Sequence, residues 1–271
     1  MNYVNKVEKI LMCPPDFYGI KYEINPWMKV EIQSDHEKAT KQWNDLYKIL
    51  KDDLGVDIKL VEPKEDVPDM VFTANAAVMY GNKAVIARFK FEQRQAEEKY
   101  FAEWFKNNGY EPITLPDDMA FEGAGDALYL DGVLYSGYIP RSDIAAHTYI
   151  SEFLKIPVVS LELSNKSFYH LDTCFCPLEG GYLIYYPEAF DSYANKVIES
   201  NVPEEKRIIV NAEEASYFTC NAVNIGKNVV TNITTKRFSD LLAQKGFNHI
   251  QVDLSEYMKA GGAAKCLTLK I

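Results

Sequence analysis

A mixed α/β fold of five repeated modules around a pseudo-fivefold axis is the class this sequence predicts. Two registers with one period carry the prediction. Stretches with helical spacing of apolar residues begin near His36, Phe91, Asp143, Phe190 and Arg237, at steps of 55, 52, 47 and 47 residues. A second series places an apolar residue and a short polar turn ahead of a strand, a glycine-containing turn and a second strand. Its turns end at Asn75, Asp126, Asp172, Asn221 and Cys266, at steps of 51, 46, 49 and 45. A repeat of roughly 50 residues is a signature of propellers and related arrays. No long linker or composition break divides the chain, so residues 1–271 are expected to form one domain.

The elements follow in order. A helix from about His36 precedes the first turn, Phe72-Thr73-Ala74-Asn75, and the strand Ala84–Ala87. The clearest helix, Phe91 to Phe105, is stopped by Asn107-Asn108-Gly109. The second turn, Phe121-Glu122-Gly123-Ala124-Gly125-Asp126, leads to the strand Val133–Ile139 and the helix near Asp143. His170-Leu171-Asp172-Thr173 is the third. After it come an alternating segment with Cys174 and Cys176 on one face, the strand Gly181–Tyr186 and the helix near Phe190. Phe218-Thr219-Cys220-Asn221 is the fourth turn and precedes the helix near Arg237. Gly261-Gly262-Ala263-Ala264-Lys265-Cys266 is the fifth.

Composition narrows the function. With 47% hydrophobic and 25% charged residues the 271-residue chain reads as an ordinary globular protein. No apolar run approaches the roughly 18–20 residues of a membrane span, and Met1 to Lys6 lacks a signal-peptide hydrophobic region. Five cysteines without metal spacing suggest free thiols in a reducing, cytoplasmic setting. A net charge of -10 argues against a nucleic-acid partner and suits a small cationic one. A homo-oligomer is compatible with all of this. Neither a metal nor an organic cofactor is implied, because metal-ligand spacing and a phosphate-binding glycine loop are both missing.

Equivalent turns of a ring face one axis, so Asn75, Glu122, Asp126, His170, Asp172, Asn221 and Cys266 should converge on one pocket. Cys266 follows a flexible Gly/Ala loop and stands beside Lys265, a cation that favours thiolate. A buried, inert cysteine is the competing reading of that residue alone. Glu122 and Asp172 are expected to clamp a guanidinium, whose planar fork of donors matches a pair of carboxylates. Cys266 would add to the guanidinium carbon. His170 would protonate the departing amine and then deprotonate a water that hydrolyses the S-linked intermediate. His36, His147 and His249 are expected at the surface.

These residues resemble the guanidine-modifying superfamily of arginine deiminase, dimethylarginine dimethylaminohydrolase and glycine amidinotransferase. Phe72 to Asn75 is similar to its Phe-Thr-Arg-Asp motif, and Phe121 to Asp126 looks like Glu-Gly-Gly-Asp with one extra residue. His170 to Thr173 matches His-Leu-Asp-Thr, and Gly261 to Cys266 looks like the nucleophile loop. The resemblance implies a five-bladed αβ propeller (pentein), Cys266 as nucleophile, His170 as acid/base, and Glu122 and Asp172 as guanidinium ligands. It implies Arg94 and Arg141 for a substrate α-carboxylate, with Cys13 to Tyr22 where members carry a lid. One departure stands out: Asn75 replaces the deiminases' Asp. A neutral amide with donor and acceptor tolerates a ureido group better than a carboxylate does. That departure, with the Met12–Asp16 and Ile24–Met28 segments, resembles the arginine dihydrolase branch, in which arginine gives ornithine, carbon dioxide and two ammonia.

Four other readings compete. Hydrolysis of methylated arginines, or deimination to citrulline, uses the same nucleophile, with Asp172 counting against the former. Amidino transfer replaces the attacking water by an amine. A non-catalytic docking propeller would need none of Cys266, His170 and Glu122.

Overall fold

The structure is a computed structural model that describes residues 7–271. The stretch Met1 to Lys6, read above for its lack of a leader, lies outside the described residues.

Among the described residues fifteen strands form five three-stranded sheets, the number the sequence periodicity requires. The first contains β1 (Lys9–Met12) and β2 (Asp57–Leu60). The second contains β3 (Ala77–Tyr80), β4 (Lys83–Ile86) and β5 (Glu111–Ile113). The third is β6 (Ala127–Leu130), β7 (Val133–Tyr138) and β8 (Val158–Glu162), and the fourth β9 (Phe175–Leu178), β10 (Tyr182–Tyr185) and β11 (Arg207–Ile209). The fifth is β12 (Val223–Ile225), β13 (Asn228–Asn232) and β14 (Asn248–Val252). The last strand, β15 (Leu269–Lys270), returns to the first sheet and pairs antiparallel with β1, Ile10 opposite Lys270 and Leu11 opposite Leu269. The two ends of the described chain thus share a sheet.

Every sheet has one plan: an antiparallel pair, then a parallel strand reached through a helix. A parallel neighbour needs such a crossover, which sets the period of about 50 residues. The crossover helices are α1 (His36–Lys48), α2 (Glu97–Asn107), α3 (Ile144–Leu154), α4 (Ser192–Asn201) and α5 (Lys236–Gln244). Asp35, Asp191 and Thr235 cap α1, α4 and α5 by accepting from Lys38, Ala194 and Phe238 N–H. One expectation needs amending. The run from Phe91 is not one helix; a single turn, Glu92–Gln95, is separated from α2 at Ala96.

The strands β3, β6, β9, β12 and β15, one in each sheet, each follow one of the five repeated turns, and residues of all five line one cavity of about 290 Å³. Val78, Leu128, Cys176, Asn224 and Leu269 contribute one face each. The turns themselves are laced together. Asn75 Nδ2 donates to Glu122 O (3.2 Å), Leu171 N to Asp126 Oδ1 (3.0 Å), and Asn221 Nδ2 to Asp172 O (3.0 Å). Ala263 N donates to Asn221 Oδ1 (3.0 Å), and Ala74 N to Cys266 O (3.1 Å). These bonds close a cycle through all five turns. Gly123 is obligatory within it: its φ is +61°, and a Cβ would lie 2.7 Å from Asn75 O and 2.9 Å from Ala77 N.

Candidate active site

Cys266 sits in the fifth turn, after Gly261 and Gly262, and is buried. The glycines let the loop pass close to its neighbours: a Cβ on Gly262 would lie 3.2 Å from Cys266 Sγ and 3.0 Å from Phe72 Cε1. Sγ lies 3.5 Å from Asp172 Oδ2 and accepts from Asn221 Nδ2 at 3.1 Å. Cys266 and Asn75 line one narrow cavity, together with Arg94, Arg141, Tyr169 and Asp69. His170 and Asn75 flank Gly125: a Cβ there would lie 3.5 Å from His170 Cγ and would collide with Asn75 Nδ2.

Glu122 differs from its expected role. Its Oε2 lies 2.7 Å from His170 Nε2 and 2.8 Å from Arg141 Nη1. The carboxylate therefore orients the histidine and neutralises an arginine before any guanidinium arrives. Burial pushes the Glu122 carboxyl up, but Arg141 and His170 outweigh it and hold it well below the usual range. Asp172 has no such arginine. Burial raises it to about 6, against the pull of Lys265. Beside it, burial and the Asp172 charge push the Cys266 thiol well above its ordinary value, which Lys265 only partly offsets. The lysine thus favours the thiolate without overcoming burial and the Asp172 charge. Its Nζ turns to the carbonyls of Ala124 and Thr268 (3.4 Å each) and lines the larger cavity.

Arg94 and Arg141 are buried rather than solvated. Each lies against aromatic faces: Arg94 over Phe89 at 4.4 Å, Arg141 over Phe91 at 4.8 Å and Tyr169 at 4.9 Å. Arg94 donates to both oxygens of Glu97, to Asn75 Oδ1 at 2.9 Å and to Asp69 O. Those bonds engage four of the five guanidinium N–H groups. Arg141 donates to Glu122 and Ile24 O, and its Nε has no partner among the described residues. Asp126 is buried beside His170 and Glu122. Its oxygens accept from Ser142 Oγ (2.6 Å) and Leu171 N (3.0 Å), which braces the third turn against the second.

Sequence reasoning missed Asp69, which is buried on the cavity wall with Oδ1 unpartnered among the described residues. A lone acidic residue before the first motif gives no periodic signal. Ile24 and Asn25 also line the cavity, carried by the segment after the expected lid. Within that lid segment Tyr18 stacks on Tyr257 and its hydroxyl donates to Glu256 O. Of the histidines expected at the surface, His36 is exposed. His147 is buried, its ring meeting Ser160 Oγ at 2.8 Å, and His249 lies on β14, half-buried between Thr231 and Ser239 hydroxyls. All five cysteines are free and buried.

This arrangement of thiol, histidine–carboxylate pair and buried arginines on five small α/β sheets defines a class of protein that comparison then narrows. A model of the family described as N,N dimethylarginine dimethylhydrolase, eukaryotic, matches residues 23–271. The bifunctional arginine dihydrolase/ornithine cyclodeaminase ArgZ of Synechocystis sp. is 50% identical over 97% of this chain and 37% of its own length. The N(G),N(G)-dimethylarginine dimethylaminohydrolase of Mycobacterium tuberculosis is 39% identical over 98% of this chain and 86% of its own. A crystal structure of the N-terminal domain of ArgZ bound to product superposes with a TM-score of 0.95 at 48% identity, covering 98% of this chain and 97% of that one. The chain belongs to the dimethylarginine dimethylaminohydrolase family, within the guanidine-modifying superfamily. It spans little more than a third of the ArgZ-type relatives it matches. Among the described residues no helix is long and apolar enough to cross a membrane.

Proposed function

We propose that this chain is an arginine dihydrolase, converting arginine and two waters to ornithine, carbon dioxide and two ammonia. In this reading the five sheets are the blades of one αβ propeller, and the laced turns form its catalytic end. The observation that carries the proposal is Asn75, an amide in the cavity that also holds Cys266. The names of the ArgZ- and AgrE-type relatives, about half identical in sequence, support it.

The charges of the cavity suit a zwitterionic amino acid with a cationic tail. Arg141 offers its free Nε to the α-carboxylate, and Asp69 offers its unpartnered oxygen to the α-ammonium. Arg94, already held by Glu97, fixes Asn75 in place and adds positive charge to the carboxylate end. Asp172, next to Sγ, receives the guanidinium. Arrival of that cation stabilises both the Asp172 carboxylate and a Cys266 thiolate, so substrate promotes ionisation of its own nucleophile.

Sγ then adds to the guanidinium carbon. The tetrahedral adduct expels ammonia, with His170 supplying the proton and Glu122 steadying the imidazolium. His170 next takes a proton from water. The hydroxide adds to the S-linked carbon, and the C–S bond breaks to give the ureido product and free thiol. In a second round Sγ adds to the ureido carbon and a second ammonia leaves. Water cleaves the thioester-like adduct to a carbamate, which loses carbon dioxide to give ornithine. Asn75 permits that round because an amide can face a neutral ureido group as well as a guanidinium.

Replacing Asn75 by Asp should convert the enzyme into a citrulline producer with less than about a tenth of the ornithine output, the size of a lost favourable contact of about 1.4 kcal/mol. Unchanged ornithine yield from Asn75→Asp would remove the basis of the proposal. Hydrolysis of methylated arginines is the second reading, favoured by the family model and the Mycobacterium tuberculosis relative. Release of dimethylamine from dimethylarginine, in place of ammonia from arginine, would select it.

A further inference from the structure

We propose that Asn221 is the residue that stabilises the Cys266 thiolate, its side-chain amide serving as a fixed hydrogen-bond donor to the nucleophilic sulfur. The proposal deepens the hydrolase reading, but its test needs no substrate and so stands apart from the choice of guanidino compound.

Asn221 is fully buried. Its Oδ1 accepts from Cys266 N and Ala263 N, both at 3.0 Å. Its Nδ2 donates to Asp172 O at 3.0 Å and to Cys266 Sγ at 3.1 Å. The amide orientation is therefore fixed, because turning it over would set NH₂ against two N–H donors and an oxygen against a carbonyl. One side chain thus grips the backbone of the nucleophile and points an N–H at its sulfur. The equivalent residue of the first turn, Asn75, also laces the ring, but its amide oxygen goes to Arg94.

The need for such a donor is plain from the surroundings. Cys266 is buried beside the Asp172 carboxylate, which opposes a second negative charge. Lys265 turns away to backbone carbonyls. Among the described residues Asn221 Nδ2 is the side-chain N–H aimed at Sγ. Ionisation moves the thiol proton off sulfur, and Asn221 makes or breaks no covalent bond; it donates to sulfur more strongly once that is charged.

A purely structural Asn221 would hold the loop and leave the thiol's acidity alone. The full chain, its Asn221→Asp and Asn221→Ala variants, and Cys266→Ala as a blank are treated with iodoacetamide across a pH series. The modified cysteine is identified by mass spectrometry, and folding is checked by circular dichroism. Asn221→Asp keeps the shape but turns an oxygen toward Sγ. The expected result is a Cys266 alkylation midpoint raised by at least one pH unit in each folded variant, at least tenfold slower reaction below it. An unchanged midpoint in either folded variant overturns the proposal. So does failure of both to fold, since Asn221 would then be structural alone.

Discussion

At the scale of single residues, the site is governed by which carboxylate has an arginine. Glu122 has Arg141 and stays ionised; Asp172 has only the charge of Lys265 to set against burial and rises to about 6. Asp172 must be charged to receive a guanidinium, so kcat/KM, which reports the free enzyme, should fall as pH drops through about 6. A profile flat down to pH 5 would show that Asp172 is not that ligand. Removing Glu122 strands Arg141, buried at 1% exposure. Glu122→Ala should cost about 3–5 kcal/mol in urea unfolding, the usual penalty for breaking a buried pair. Gly262→Ala would press a methyl group against Sγ and the Phe72 ring. The expected outcome is a drop in kcat of about tenfold or more with a stability loss near 1–3 kcal/mol, read by steady-state kinetics and thermal unfolding.

At the scale of elements, what the sequence made legible was whatever repeats. Four of the five crossover helices begin within two residues of the expected starts because amphipathic spacing is local; α2 begins at Glu97, six residues past Phe91, after the break at Ala96. The five turns were found because their period is fixed by a ββαβ plan. Contacts between modules were not legible. Glu122 meets Arg141 nineteen residues on and His170 forty-eight on, and nothing in the chain marks those pairings. The burial of His147 is not legible locally, because its partner, Ser160, belongs to β8. Adjacency marks Lys265 as a cation that favours the Cys266 thiolate, but it does not show that burial and Asp172 outweigh it or that the two side chains line different cavities. The joint between β1 and β15 is where such long-range contact matters most. Leu269 is 2% exposed and lies three residues from the nucleophile. Leu269→Ala should lose about 2–5 kcal/mol, measured by urea denaturation, and lower activity by loosening the fifth turn.

At the scale of the whole molecule, five sheets supply one turn each, and the lacing of those turns sets a thiol, a histidine and their ligands within one end of the fold. No single module holds a working site. The central claim is that this site removes both terminal nitrogens of arginine through Cys266. The direct test is product analysis of the chain incubated with L-arginine, set against Cys266→Ala. The account predicts ornithine with two equivalents of ammonia, lost in the variant. Citrulline with one equivalent, or ornithine formation that survives in Cys266→Ala, would contradict it.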